Sequence, residues 1–354
     1  LSIRRQRQMC IRDRAYLMKQ RGFDCIGVTM KLFANEDIGI SREHSCCSLD
    51  DVEDARSVAY SLDMPYYVFN FSDRFETDVI DRFIHAYENG ITPNPCIDCN
   101  RYLKFDKLYM RAKELDRDYV VTGHYARVEK DENGRFLLKK ALDNTKDQSY
   151  VLYCLTQEQL RHTIFPLGEM RKSQAREIAE SQGFINARKA DSQDICFVQN
   201  GSYVDFIEQY TGKNYPDGDF LDTNGNIIGR HKGVIRYTVG QRKGLGISAP
   251  EPLYVKAVNR VSNTVTLSYN DGLYSSIVKA GDINLISVPE IKGEMRVKAK
   301  VRYRHTEQWA TVTQNGDTIT AVFDEPQRAV TCGQALVLYD GDTVVGGGTI
   351  IEVE

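Results

Sequence analysis

No stretch of this 354-residue chain approaches the ~20 consecutive apolar residues that a membrane-spanning helix needs. The Arg-rich start is not followed by an apolar run, so no secretory signal is expected, and the chain reads as cytoplasmic with no membrane partner. A dominant charge is missing too. The formal net charge is -3, so any nucleic-acid footprint must be a local basic patch. There is no internal repeat and no low-complexity linker. Cysteine, in contrast, is plentiful and odd in number, at nine. In a long chain without an export signal a disulfide framework is not expected. Thiol chemistry, metal binding, or burial as a small hydrophobe remain open.

The length suggests two or three domains. Residues 15–125 alternate helix and strand: a helix ending at Gly22, a strand Asp24–Met30, a helix Leu49–Leu62 after Ser48, a strand Pro65–Asn70, a helix from Ser72 to about Asn89, a helix Phe105–Leu115 and a short strand Tyr119–Thr122. That alternation implies α/β architecture with a parallel sheet covered on both faces. Asn133-Gly134 sits between two β-like runs and predicts a hairpin over 127–140. Helices are expected again at about 148–161 and 173–182. From Pro216 turns such as Asp217-Gly218, Asn224-Gly225 and Asp271-Gly272 separate short β-like runs. After about residue 278 period-two alternation (RVKAKVRY) predicts a small β-barrel or sandwich. The expected division is an α/β domain over 1–200, a small α+β central domain over 201–277 and a C-terminal β-barrel over 278–354.

Three stretches carry chemistry. In Thr92-Pro93-Asn94-Pro95-Cys96-Ile97-Asp98-Cys99-Asn100-Arg101, two prolines restrict the backbone before a C-x-x-C pair. Arg101 and a nearby helix start favour thiolate. This spacing suits redox, zinc, iron–sulfur or nucleophile roles. In Asp191-Ser192-Gln193-Asp194-Ile195-Cys196-Phe197, Cys196 is either a third reactive thiol or a buried residue of a short apolar strand. In Thr122-Gly123-His124-Tyr125, a Gly-His pair ends a parallel strand, where open α/β sheets bind ligands; His124 is equally readable as satisfied by local hydrogen bonds.

Taken together, these residues resemble the bacterial tRNA-specific 2-thiouridylases, members of the PP-loop ATP-pyrophosphatase group. The shared phrases run from about Ala15 to Glu354: GVTMK, TPNPCxxCN, TGHYAR, LDNTKDQSYVL, FPLGE, DSQDICF, GQRKGLGI, VRYRH, FDEPQRAVTCGQ and GGGTI. The resemblance implies ATP-dependent replacement of the C2 oxygen of the wobble uridine, position 34 of Lys, Glu and Gln tRNAs. Sulfur would come from a cysteine desulfurase or a sulfur-relay protein, with Mg²⁺ accompanying ATP. It implies Cys196 as the persulfide carrier and Cys99 as the second catalytic cysteine, and Met30 and Gly123 as ATP contacts. It places Asn94, Pro95 and Cys96 at the target base, and His124, Lys146, Asp147, Gln148, Arg302, Tyr303 and Gln334 on tRNA. Asp147 could instead cap a helix, Arg302 and Tyr303 could be a solvated strand face, and the Gly240–Gly246 stretch could be only a turn.

Two departures matter. Where the family has an apolar strand and a loop of the form S-G-G-x-D-S-S, this chain reads IRRQRQMCIRDR. Residues 1–14 carry five arginines and one aspartate. They read either as a basic arm on RNA or, the preferred expectation, as non-native sequence, because MCIRDR is encoded by the end of a transposon-based sequencing adaptor. The chain as it stands is then not expected to bind the pyrophosphate of ATP. Its strand Asp24–Met30 would be short of a neighbour. Some relatives carry aspartate where Cys96 stands, so a proton-transfer role does not carry over to it. Rival readings are the same thiolation through an iron–sulfur cluster on Cys96, Cys99 and Cys196, a zinc site on Cys46, Cys47, Cys96 and Cys99, a tRNA-binding remnant without catalysis, and a freestanding thiol–disulfide oxidoreductase.

Overall fold

A computed structural model describes residues 14–33, 49–174, 177, 195–198 and 202–354. Expectations for residues 1–13, for Cys46, Cys47 and Ser48, for most of the 173–182 helix and for Asp191–Asp194 lie outside these. The chain divides into two units, Leu1–Val79 with Cys96–Phe206, and Ile80–Pro95 with Ile207–Glu354.

In the first unit the helix over 14–20 (α1) ends as its sequence predicts. Gly22 takes φ +81°, and its N–H donates to Lys19 O while Phe23 N–H donates to Met18 O. Strand β1 (Gly27–Lys31) pairs in parallel with β2 (Tyr66–Asn70), in the register Gly27 opposite Tyr66. Helix α2 (Leu49–Ser61) buries Ala55, Val58 and Ala59 and lies against both strands. A second parallel pair joins β3 (Val120–Val121) to β6 (Thr163–Ile164). Among the described residues the two pairs remain separate sheets. Between β3 and β6 runs the hairpin β4 (Ala126–Lys130) and β5 (Phe136–Lys140). Its turn has Gly134 at φ +87°, the left-handed conformation that an Asn-Gly turn supplies without a Cβ clash.

Two long helical runs follow along the chain. Ser72–Phe75 (α3), Glu76–Ile80 and Asp81–Glu88 (α4) follow one another without a break. So do Pro95–Asp98 (α5), Cys99–Lys107 and Leu108–Glu114 (α6). The second run starts ten residues before the Phe105 expected from sequence. Proline is favoured in the first turn of a helix, where its missing N–H costs nothing, so the prolines that read as a loop in fact open it. Cys99–Lys107 is wound as a π-helix, a form concentrated at functional positions.

In the second unit, β7 (Gly218–Leu221), β8 (Ile227–His231), β9 (Tyr254–Asn259) and β10 (Thr264–Ser268) form a four-stranded sheet in the order β8-β7-β10-β9, with β7 and β10 parallel. Phe220, Val255, Val265 and Leu267 are its core. The remaining strands, β11 (Tyr274–Leu285), β12 (Met295–Lys300), β13 (Gln308–Asn315), β14 (Thr318–Arg328), β15 (Ala335–Asp340) and β16 (Thr343–Val353), run β11-β14-β13-β12-β15-β16, and β16 returns to β11 to close a barrel. The alternation in RVKAK is the reason: Val297 and Ala299 point into the core with Val312, Ile319, Leu336 and Leu338, while Arg296 and Lys298 face out. Each large aliphatic so buried contributes about 1.5–3 kcal/mol. The closing seam explains GGGTI. A Cβ on Gly346 would stand 2.4 Å from Asn284 O, and one on Gly348 2.7 Å from Gly281 O, so β11 and β16 approach only without side chains there.

Candidate active site

Cys99 is 6 % exposed at the start of the π-helix, and Cys96 is exposed one turn earlier. The helix that presents them is pinned from below. Asn100, 1 % exposed, donates from Nδ2 to Val151 O at 2.8 Å, and Lys104 Nζ donates to Asn100 Oδ1 at 2.8 Å. Val151 belongs to the short helical turn Ser149–Leu152 of the DQSYVL phrase. Asn100 is therefore a positioning residue that sequence reading passed over; its invitation was the Asn that directly follows the second cysteine. Beneath the same turn Cys154 lies buried, its Sγ 3.7 Å from Ile97 O, and burial pushes its thiol up to about 12. That thiol stays protonated at any physiological pH and takes no part as a nucleophile.

Cys196 does not lie in the apolar strand that one reading of ICFV anticipated. It occupies a turn, half-buried. Its neighbour Phe197 is 1 % exposed and meets Phe75 edge-on, ring centroids 5.7 Å apart. Phe75 ends α3, and α3 packs against the π-helix that opens at Cys99. The two cysteines, distant in sequence, thus belong to segments that both contact α3.

The TGHY segment leaves β3 at its C-terminal end. Thr122 Oγ1 is 2.7 Å from His124 Nδ1, and the His124 ring rests between Phe105 and Phe165, at 5.9 and 5.8 Å. Gln148 Nε2–Oε1 is turned inward: Oε1 accepts from Tyr125 N–H at 3.0 Å, and Gln148 N–H donates to Tyr125 O at 2.8 Å. Asp147, two residues before Ser149, accepts from Ala141 N–H, Ser149 N–H and Ser149 Oγ. Both residues, carried over as RNA contacts, shape the loop here, and Lys146 stands half-buried beside them. Met30 sits near the C-terminal end of β1 and Gly123 just beyond β3. A cleft of about 530 Å³, lined by Arg21, Phe23, Tyr119, Arg127 and His162 among others, contains neither the cysteines nor Met30, Gly123, His124, Lys146, Asp147 or Gln148. Among the described residues no three His, Cys, Asp or Glu side chains are grouped to hold a metal.

In the second unit, Arg302 is likewise turned inward. Its guanidinium donates to Val239 O at 3.2 Å, to Thr331 Oγ1 at 2.6 Å and to Ala329 O. Tyr303 is 39 % exposed beside it. His305, in the same VRYRH phrase, is held below its ordinary value by burial and by the charges of Arg302, Lys300 and Arg328. Three cations, Arg302, Lys300 and Arg328, thus bear on one imidazole. On the barrel's outer face Arg296 and Lys298 also stack on Trp309, at 5.2 and 5.5 Å. Gln334 Nε2 donates to Thr92 O at 2.9 Å and Pro93 O at 3.2 Å, within the TPNP loop that holds Asn94 and Pro95.

The His305 shift has a measurable consequence. Phosphates seated on these cations would cancel the cationic field that depresses the ring, so its value should rise on RNA binding. A group that rises in the complex takes up protons, and affinity then increases as pH falls through the range in which His305 titrates. The expected result is an upward move of the His305 imidazole titration by NMR when tRNA is added; an unmoved titration with bound tRNA removes His305 from the interface.

The fold is α/β with a β-rich second half, and comparison with known families names its parts. The tRNA methyl transferase HUP domain matches residues 13–200, the tRNA methyl transferase PRC-barrel domain 204–269 and the aminomethyltransferase beta-barrel domain 275–350. Over the whole chain, tRNA-specific 2-thiouridylase MnmA of Clostridioides difficile (strain 630) is 50 % identical across 95 % of this chain and 93 % of its own length. The protein of the same name from Lachnoclostridium phytofermentans is 50 % identical across 96 % and 95 %, and that of Acetivibrio thermocellus 48 % identical across 95 % and 94 %. This chain belongs to the tRNA-specific 2-thiouridylase family, a family of tRNA sulfurtransferases.

Proposed function

We propose that the protein is a sulfurtransferase that converts a tRNA uridine, the wobble uridine 34 of Lys, Glu and Gln tRNAs, to 2-thiouridine with the thiols of Cys99 and Cys196. The observation that carries this reading is that the segments holding Cys99 and Cys196 both contact helix α3, in a chain half identical to named 2-thiouridylases over nearly its full length. The methyl-transfer wording of the domain descriptions has less support, because the whole-length relatives are named for thiolation.

The C2 oxygen of uridine is urea-like and does not leave as oxide. ATP, when bound, supplies AMP as its leaving group. Cys196 holds incoming sulfur as a persulfide, delivered by a cysteine desulfurase or a relay protein. The terminal sulfur attacks the activated C2, giving a Cys196–S–S–C2 linkage. The Cys99 thiolate then attacks Cys196 Sγ, breaks the S–S bond, releases 2-thiouridine and leaves a Cys99–Cys196 disulfide for an external dithiol to reduce. Asn94, Pro95 and Cys96 border the base, and Tyr303 with the cations around His305 meets RNA phosphates.

The residues present fit ATP only in part. Gly123 offers close backbone approach beyond a parallel strand. The phosphate end needs backbone N–H groups of a Gly-rich loop leading into a helix N-terminus. The residues leading into α1 read IRRQRQMCIRDR instead, and no activation step is derived for them. The test is mass spectrometry of tRNA from cells that lack their own 2-thiouridylase and express this chain with an S-G-G-x-D-S-S strand-loop in place of residues 3–14. Appearance of 2-thiouridine at position 34 is expected; its absence, with folded protein and a working desulfurase present, sinks the reading.

A further inference from the structure

The loop that leads into Cys96 and Cys99 is held by a turn from the far end of the sequence. Thr92 N–H donates to Cys332 O at 3.0 Å, and the Gln334 amide closes on the carbonyls of Thr92 and Pro93. The turn is itself fixed to the barrel: Gly333 N–H donates to Ile350 O and Ile350 N–H to Gln334 O, both at 2.8 Å. Gly333 stands at φ +89°, and a Cβ there would lie 2.2 Å from Ile91 Cγ2 and 2.9 Å from Thr92 O, so only glycine permits this approach. Pro93 and Pro95 stiffen what lies between. Anchoring Thr92 and Pro93 therefore fixes the backbone that carries Asn94 and Pro95.

We propose that Gln334 is a positioning residue for the reaction: with Cys332 and Gly333 it clamps the Thr92–Pro95 loop and thereby fixes Asn94 and Pro95, the residues that meet the base. The proposal builds on the thiolation reading and assigns to the barrel a task in catalysis besides holding RNA. The residues just before this turn receive Arg302, on Ala329 O and Thr331 Oγ1, so the VRYRH phrase and the Asn94–Pro95 loop are held by one short segment. Displacement of reacting atoms by ~1 Å costs roughly 10²-fold in rate, and loss of two hydrogen bonds at the base of the loop is enough to permit such a displacement.

The test replaces Gln334 by methionine, which keeps length and packing and removes both donors. Hydrogen exchange of the 89–99 peptide should quicken at least about tenfold at Thr92, whereas a control peptide within β14 stays unchanged. In the chain carrying the family loop, single-turnover thiolation at saturating tRNA should fall about tenfold or more, with the tRNA Kd within about twofold of the parent. Gln334→Glu, which presents acceptors to acceptors, should give the same signature, so a misfolded Gln334→Met protein, recognised by circular dichroism, does not end the test. Unchanged exchange at Thr92 overturns the clamp. A raised Kd with an undiminished saturating rate makes Gln334 a plain RNA contact and overturns its positioning role. Exchange needs no turnover, so a parent chain that exchanges as expected yet never thiolates refutes the function and leaves the clamp intact.

Discussion

Cys99→Ser and Cys196→Ser, each made in the chain carrying a restored strand-loop, are expected to lower 2-thiouridine formation by roughly 10³-fold or more, because each removes a nucleophile or sulfur carrier for which serine is no substitute. The double variant should be no worse than the weaker single one, since both thiols serve one cycle and losses within such a unit do not add. Affinity for tRNA should stay within about twofold. Cys25→Ser is the control: its thiol is raised by burial against the pull of Lys19 and Arg117, it ends no motif, and its loss should leave the rate as it was. Quantifying 2-thiouridine per tRNA after a single turnover reads all four proteins. If Cys196→Ser retains a tenth of the rate, the persulfide is carried elsewhere.

The 354-residue chain itself should release no pyrophosphate above background with ATP and tRNA, and replacing residues 3–14 by an apolar strand and S-G-G-x-D-S-S should raise release by on the order of 10³-fold. The argument is electrostatic. Pyrophosphate binding at a loop–helix junction depends on several backbone N–H groups converging on one anion together with a helix N-terminus. Helix α1 is in place over 14–20, but the residues before it are bulky and cationic rather than glycine-rich. Pyrophosphate release by the unaltered chain at a rate matching the restored one would show that the cationic segment does the loop's work.

Much of this organisation was legible in the residues. Asn133-Gly134 announced its hairpin, Gly22 its helix end, and the alternation of Arg296 to Lys300 its barrel strand, because each depends on neighbours a few residues away. The start of the cysteine helix was not legible. Pro93 and Pro95 argue for a loop locally, and only packing of Asn100 on Val151 shows that the helix already runs there. Nor could sequence reveal which way polar side chains turn. Gln148, Asp147, Arg302 and Gln334 match positions carried over as RNA contacts, yet here each satisfies backbone groups of its own fold. Gln334 and Thr92 are separated by 242 positions, and no periodicity spans such a distance. For Cys196 a local apolar run suggested a strand, but Phe197 is drawn instead to Phe75 and Phe206, and the chain turns to deliver it.

The most direct measurement is peptide mapping of the sulfur state of the protein after one turnover without reductant. With a desulfurase, ATP and tRNA supplied to the restored chain, a Cys99–Cys196 disulfide should accumulate in step with 2-thiouridine, preceded by a mass increment of one sulfur on the Cys196 peptide. Formation of 2-thiouridine with Cys99 still a thiol, or with the added sulfur on any cysteine other than Cys196, would contradict the account.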